Sequence, residues 1–451
     1  MTSTDPREVI DQTAMTTAQV VVVVVTVLLN AMDGFDILSI AFAGPGIAKE
    51  WGVTQLALGI VLSMELIGMA IGSVFLGGVA DKVGRRPTLL GCLVVMAAGM
   101  VLATTASSPV QLSIWRVLTG LGIGGMLSCT NAVVAEFSNR KWRSLCISMM
   151  VIGYPLGGGF GGLYASSLIA RYDWRAVFYF GAAATALLLP IVFFLVPESV
   201  HWLTRKQPVN ALAKVNESLS RLGHAVVAAL PEVRGEESKK SLGDIFSPAL
   251  VGVTTIVTAS YFLHIVTFYF LLKWAPKLVA DMGFAASQGG RVLTMANFGG
   301  AAGGAIFGLL TARFGLKPLT IAILALNAVA VTIFGRSTAD LNSLMTLGFI
   351  VQFFGNAAVS GLYSIAAYAF PTHVRATGTG FVIGLGRGGA VLSPWLAGYL
   401  LNRGTTLPTV AMVMAAGSLL AAFILMFLRL GSEQPVLADK KAPVGARTQP
   451  A

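Results

Sequence analysis

The chain alternates long apolar runs with short polar connections. Twelve runs can be marked off, near residues 18–43, 54–78, 88–107, 110–135, 146–170, 175–196, 249–272, 288–311, 317–335, 342–368, 376–400 and 408–428. Each is about 20 residues or longer, the length a helix needs to cross a hydrocarbon core of about 30 Å. A water-soluble core has no use for so many. The pattern predicts an all-α membrane protein of twelve transmembrane helices. It breaks once, where a polar segment covers residues 197–248. Within it Ala211, Leu212, Val215, Leu219 and Leu222 recur at helical spacing, which predicts a short amphipathic helix. The chain thus divides into an N-terminal segment 1–17, a six-helix bundle 18–196, a linker 197–248, a second bundle 249–430 and a polar, disordered tail 431–451.

Composition sharpens this picture. Of the 451 residues 11% are charged and 55% hydrophobic, against about 25% charged in soluble domains. The net charge of +11 suggests nucleic acid until its placement is considered, because the basic residues sit in the connections. With an even number of spans both chain ends share one side. Short loops on that side carry Lys82, Arg85, Arg86, Arg140, Lys141, Arg143, Arg313, Lys317 and Arg375, and the linker and tail add more, including Lys239, Lys240, Lys440, Lys441 and Arg447. The opposite loops hold Lys49, Arg171, Arg175, Lys277, Arg336 and Arg403. Positive residues favour the cytoplasm, so both termini and the linker are expected there, in the inner membrane. The first run is too long for a signal peptide and lacks a small-residue cleavage site. Cys92, Cys129 and Cys146 have neither paired nor metal-like spacing and read as small core residues.

The two halves repeat one another. After the second run the chain reads Gly77-Gly-Val-Ala-Asp81-Lys-Val-Gly84-Arg85-Arg86-Pro87, and after the eighth Gly308-Leu-Leu-Thr-Ala312-Arg313-Phe-Gly315-Leu-Lys317-Pro318. Glu136 precedes Arg143 by seven residues, and Tyr368 precedes Arg375 by seven. Such duplication fits a transporter whose site lies between its halves.

These residues carry a family resemblance over about residues 18–430. Gly77-xxx-Asp81-Lys-x-Gly84-Arg85-Arg86 resembles the cytoplasmic loop signature of the major facilitator superfamily, and Arg116-Val-Leu-Thr-Gly120-Leu-Gly122-Ile-Gly124 its fourth-helix motif. Asp33-Gly-Phe-Asp36 is similar to the first-helix signature of the aromatic acid:proton symporters, and Pro197-Glu198-Ser199 to the stretch closing the sixth span in that group. Two departures stand out. Ala312 occupies the acidic position of the second-half loop, and Tyr154 replaces the glycine before Pro155 that antiporters carry. The resemblance implies two six-helix bundles and proton-coupled import of an aromatic carboxylate, with first-span aspartates and the fourth-span arginine handling the proton. The competing reading, a proton-driven exporter of drugs or metabolites, fits these two motifs less well.

Ionisable side chains inside a membrane are costly and mark function by default. Asp33 and Asp36 share a helix face, and counting residues puts Asp36 and Arg116 at similar depth. A carboxylate beside that guanidinium would stay ionised until protonation released it, which is the switch a symporter needs. The alternative is a static staple between helices. Glu65 lies mid-span, either as a second proton carrier or satisfied by neighbouring polar groups. Arg387, among glycines near the membrane centre, is the candidate anchor for a substrate carboxylate. Its alternative is an ion pair with Glu65. His264 and Asn356 lie at similar depth, the histidine being open to a ligand role or to a bond with a backbone carbonyl. Phe35, Tyr154, Tyr261, Phe268, Phe353, Phe354 and Trp395 are candidate stacking partners for a ring.

The loop cluster Asp81, Gly84, Arg85, Arg86, Glu136, Arg143 and Arg375 reads as a conformational lock, with Asp81 pairing with Arg143 or Arg140, that exists in only one arrangement of the halves and biases the outward-open state. If it fails as a lock, it sets topology alone. No Gly-xxxx-Gly-Lys-Ser/Thr motif, metal cluster or nucleophile–base pair is found. The chain is therefore read as a monomeric transporter rather than an enzyme, without cofactor or nucleic-acid partner, working with a small aromatic carboxylate, protons and the bilayer.

Overall fold

The computed structural model describes residues 5–231, 242–371 and 374–428; the tail beyond Gly431 and the linker lysines Lys239 and Lys240 lie outside them. Twelve long helices carry the structure: α1 Thr17–Trp51, α2 Gln55–Val83, α3 Arg85–Thr104, α4 Pro109–Phe137, α5 Arg143–Arg171, α6 Arg175–Leu195, α7 Val251–Asp281, α8 Ala286–Phe314, α9 Leu316–Gly335, α10 Leu341–Ala369, α11 Arg375–Asn402 and α12 Leu407–Met426. All but α11 satisfy a simple length-and-hydropathy criterion for crossing a membrane. In α11 the glycines and Arg387 dilute the apolar signal, yet its 28 residues are ample for a span. Three helices outrun their predicted ends by five residues or more: α1 continues to Trp51, closed by the left-handed Gly52, α2 continues to Val83, and α7 continues through Pro276 to Asp281. Proline only removes a donor and bends a helix that neighbouring helices hold in place.

The pairing of helices is the same in both halves. In the first, α2 packs on α4, α1 on α5, α3 on α4 and α3 on α6; in the second, α8 packs on α10, α7 on α11, α9 on α10 and α9 on α12. The halves meet through α5 with α8, α2 with α11 and α1 with α7. The linker adds two short helices, Val200–Lys206 and Ala211–Arg221, the latter burying Ala211, Val215 and Leu219.

Contact between the halves is concentrated at one end, the end away from the termini, here called distal. Phe160 and Phe298 meet edge to face at 5.3 Å, and Ser63 Oγ donates to the Val391 carbonyl at 2.9 Å. Gln55 donates to Asp281 at 3.2 Å across the distal rim. Among the described residues, every hydrogen bond and ion pair joining the halves lies toward this end. Toward the terminal end the same helices expose Val74 and Phe75 on α2, Leu309 on α8 and Leu385 on α11. The bonds that join the halves thus lie at the distal end, and among the described residues none joins them at the terminal end.

Candidate substrate and proton site

The buried charges form one layer in the distal half. Gly120 sets it up: a Cβ there would collide with the Glu65 carbonyl, so only glycine lets α2 and α4 approach so closely. One turn away, Arg116 and Glu65 form an ion pair, both side chains fully buried. The guanidinium also donates to the backbone carbonyl of Asp36 at 2.9 Å, reaches Met100 Sδ at 3.3 Å and lies 5.2 Å from the centre of the Phe178 ring. The direct Asp36–Arg116 carboxylate pair expected from depth is not the one formed. Arg116 takes Glu65 because α2 lies against α4, while from Asp36 it reaches the main chain. The Asp36 carboxylate faces α6, accepting from Thr185 Oγ1 at 3.4 Å through Oδ2, and its Oδ1 has no partner among the described residues. Asp33 is fully buried and neither carboxylate oxygen has one.

Lys273, absent from the candidates above, completes the layer. From α7, in the opposite half, its ammonium donates to the Ile37 carbonyl of α1 and lies 3.5 Å from Glu65 Oε2, with no exposure to solvent. It falls one residue past the predicted end of the seventh span, so its charge reads as a loop charge. The continuing sequence Trp274-Ala275-Pro276 was the available sign that the apolar run goes on. Glu65 therefore meets Arg116 and Lys273, not Arg387.

Nearer the membrane centre the second half presents Arg387. It is half-buried on α11, with no hydrogen bond or ion pair among the described residues. The Tyr261 ring packs against the neighbouring Gly386, and the Tyr261 hydroxyl meets that of Tyr363 at 3.1 Å. Tyr269, two turns further along the same helix, packs edge to face on Phe268 at 5.5 Å. Tyr269 and Tyr363 are further residues that the sequence pattern did not single out.

The remaining candidates take other places. His264 is fully buried, with Nδ1 on Ser418 Oγ at 2.9 Å and Nε2 on the Gly355 carbonyl at 3.0 Å. Both ring nitrogens are occupied, the carbonyl partner being the alternative that the sequence left open. Asn356 donates to the Gly300 carbonyl at 2.7 Å. Phe35 is buried against Phe180 and Gly161 inside the first half, away from Arg387's half. Phe353 stands half-buried between Phe349 and Phe354.

At the terminal end, the loop cluster is held within the first half. Gly84 turns α2 into α3 with φ +119°, and a Cβ there would strike the Glu198 carboxylate. Glu198 accepts from the N–H of Arg85 at 2.8 Å and of Arg86, at the positive end of α3. Burial pushes the Glu198 carboxyl up, partly offset by those N–H groups. Arg85 pairs with Asp81 at 2.8 Å and Glu136 at 3.0 Å, and Arg86 donates to the Phe193 carbonyl at 2.6 Å. Asp81 does not reach Arg143 or Arg140. It pairs with Arg85 and, at 3.1 Å, with Arg205 of the linker helix, because that helix docks here through Trp202 Nε1 on the Asp81 carbonyl. Arg143 pairs instead with Asp11. Arg375 bonds its own half's Phe370 carbonyl at 3.4 Å, and Ala312 is not described at the side-chain level.

Two packed six-helix halves that repeat one helix-pairing scheme, with buried charges on both sides of their junction, are the architecture of a secondary transporter. The profile of the Major Facilitator Superfamily matches residues 26–290 and 257–450, and the chain belongs to that family. It is 30% identical to a 4-hydroxybenzoate transporter of Pseudomonas putida, over 89% of this chain and 90% of the relative. It is 27% identical to a gallate transporter of the same organism, over 94% of each, and 28% identical to a benzoate transport protein of Acinetobacter baylyi, over 88% of this chain and 86% of that one. The crystal structure of a D-xylose-proton symporter superposes with a TM-score of 0.72 at 17% identity, covering 91% of this chain and 98% of that one. The last likeness concerns the fold alone.

Proposed function

We propose that this transporter imports an aromatic carboxylate together with protons by alternating access, across an inner membrane with both termini in the cytoplasm. The observation that carries the reading is Arg387. A guanidinium at mid-depth with no acidic partner among the described residues, beside tyrosine hydroxyls and rings, is what a carboxylate on an aromatic ring requires. The names of the relatives, hydroxybenzoate, gallate and benzoate transporters, agree with that chemistry. With this orientation the conformation is inward-open.

Proton coupling rests on Asp33, Asp36, Arg116 and Glu65. Two buried carboxylates without a cation partner strand a charge whenever they are ionised, which makes them the groups suited to carry protons. Loss of the Asp36 proton creates a charge beside Arg116, which already touches the Asp36 main chain, and gives the guanidinium a rival to Glu65. Proton occupancy thereby changes how α1 and α4 are joined. The substrate set consists of Arg387, Tyr261 and Tyr154, with Phe353 and Asn356 at its edge; His264 and Phe35 support the fold. Asp81, Arg85, Glu136 and Glu198 hold the terminal end of the first half rigid as it rocks.

Uptake of radiolabelled benzoate, 4-hydroxybenzoate, gallate and a non-aromatic dicarboxylate into proteoliposomes, with and without an uncoupler, tests the reading. Uncoupler-sensitive accumulation of the aromatic acids supports it. Outward movement driven by inward protons favours an exporter.

A further inference from the structure

Of the side chains beside Arg387, Tyr363 has no part in the binding set above. Tyr261 lies on α7 and Tyr363 on α10, their rings 5.4 Å apart and tilted by 31°. The Tyr261 hydroxyl donates to that of Tyr363 at 3.1 Å. Two hydroxyls carry two protons, and the bond between them uses one. The other proton has no acceptor among the described residues. Burial says which oxygen holds it: Tyr261 is 4% exposed and Tyr363 is 37%, so the unspent proton sits on the accessible member. After accepting from Tyr261, the Tyr363 oxygen keeps one donor and one lone pair to offer. Accepting a hydrogen bond also polarises that O–H and makes it a better donor.

The pair is tied to Arg387 by a close helix contact. The Tyr261 ring rests on Gly386, where an added Cβ would collide with it, so the glycine fixes where α7 presents its hydroxyl, one residue from Arg387. Along the helix axes the groups differ in level. Tyr363 comes six residues before α10 ends at Ala369, and Arg387 twelve after α11 begins at Arg375. At 1.5 Å per residue this is a step of about 9 Å, which two long side chains with one substituted ring between them can fill. The Arg387 guanidinium, with its fork of N–H donors, suffices by itself for both oxygens of a carboxylate. The tyrosine pair is then free for the other end of the ring. A group that can both donate and accept matches a phenol, not a C–H edge.

We propose that Tyr363, backed by Tyr261, is the specificity-determining residue of this site: it recognises a hydroxyl on the substrate ring, so that hydroxylated benzoates are preferred over benzoate. The proposal rests on the aromatic-carboxylate reading of the same site and adds the substituent that the site selects. A bare ring, or one with a methyl group, covers the Tyr363 O–H without giving it a partner. An unpaired polar group under cover is what lowers affinity.

Calorimetry on the purified full chain in detergent tests this, with benzoate, 4-methylbenzoate, 3-hydroxybenzoate and 4-hydroxybenzoate as ligands. The quantity read is the Kd of benzoate divided by that of the tighter hydroxybenzoate. In the wild type it should be about 10 or more, the scale of one donor left unpaired, and 4-methylbenzoate should behave as benzoate does. Tyr363→Phe keeps the ring and removes the hydroxyl. Residue and ligand then form a double-mutant cycle, and the ratio should fall to about 3 or less. A wild type that binds benzoate or 4-methylbenzoate as tightly as the hydroxybenzoates overturns the proposal. So does a Tyr363→Phe protein that keeps the parent's ratio, including one that weakens every ligand equally. Should Tyr363→Phe not fold, Tyr261→Phe takes its place: it withdraws the proton that Tyr363 accepts, and must reduce the same ratio or the proposal fails. Benzoate binding that needs Arg387 but shows no hydroxyl preference removes this proposal alone. Benzoate binding that survives Arg387→Ala unchanged removes the carboxylate anchor beneath it.

Discussion

The two halves share one helix-pairing scheme and hold opposite chemistry. Every acidic side chain in the interior of a described span, Asp33, Asp36 and Glu65, belongs to the first half, where Arg116 is the accompanying cation. The second half has no such acid, and its interior charges are the cations Arg387 and Lys273. Duplication supplied the scaffold, and charge divided the labour. One half is equipped to hold protons and the other to hold an anion, and the two sets touch at a single ion pair, Glu65 with Lys273. A transporter that must move two cargoes together needs such a boundary, because coupling requires that one occupancy alter a contact the other also depends on.

The sharpest way to break this comparison is in the anion-holding half. Arg387→Ala should lower affinity for the aromatic acid by about 100-fold or more, as expected when a charge-assisted pair is lost. Arg387→Lys should retain part of it. Ligand binding to the purified protein by calorimetry decides the matter, and equal losses in the two variants would remove the anchor role. In the proton-holding half, Asp36→Asn should leave that affinity within about threefold, since Asp36 faces Thr185 rather than the tyrosines. A large loss of binding would erase the division between halves. His264→Gln should act on stability alone, lowering the melting temperature in detergent through the bonds to Ser418 and Gly355. Its substrate KM should stay unchanged, and a raised KM would return His264 to the binding site.

The smallest expected effect concerns pH and the linker. Burial holds His201 below the ordinary histidine value of 6.5, although Glu136 and Asp11 pull it upward. A histidine depressed in the folded state contributes stability that is complete above that value and is lost as the pH falls through it toward the folded value. Thermal stability should therefore decline modestly below about pH 6.5, and His201→Gln should flatten that part of the profile. A wild-type-like decline in the variant assigns it elsewhere.

Much of the architecture could be read from the chain because a bilayer leaves few options: each span must be a long apolar helix, and polar loops mark its ends. What escaped was where spans end and which charges meet. Lys273 was lost because a lysine and a proline close together look like the edge of a membrane, whereas α1 supplies the oxygen that tolerates the charge inside. Asp36 and Arg116 were placed at similar depth by counting, but depth does not give azimuth. The close α2–α4 contact at Gly120 turns Arg116 toward Glu65 instead. His264 could not be resolved from sequence, since its partners, Ser418 and Gly355, lie on two other helices. Asp81 misled in the same way, because its partner Arg205 comes from a linker helix whose docking site the sequence does not reveal.

The division of labour is tested most directly by comparing two transport modes of Asp36→Asn in the same proteoliposomes. Counterflow exchanges labelled for unlabelled 4-hydroxybenzoate without net proton movement, whereas accumulation in an imposed proton gradient requires it. The account predicts counterflow at a substantial fraction of the wild-type rate with no gradient-driven accumulation. Accumulation at the wild-type level, or loss of both modes in a correctly folded protein, would contradict it.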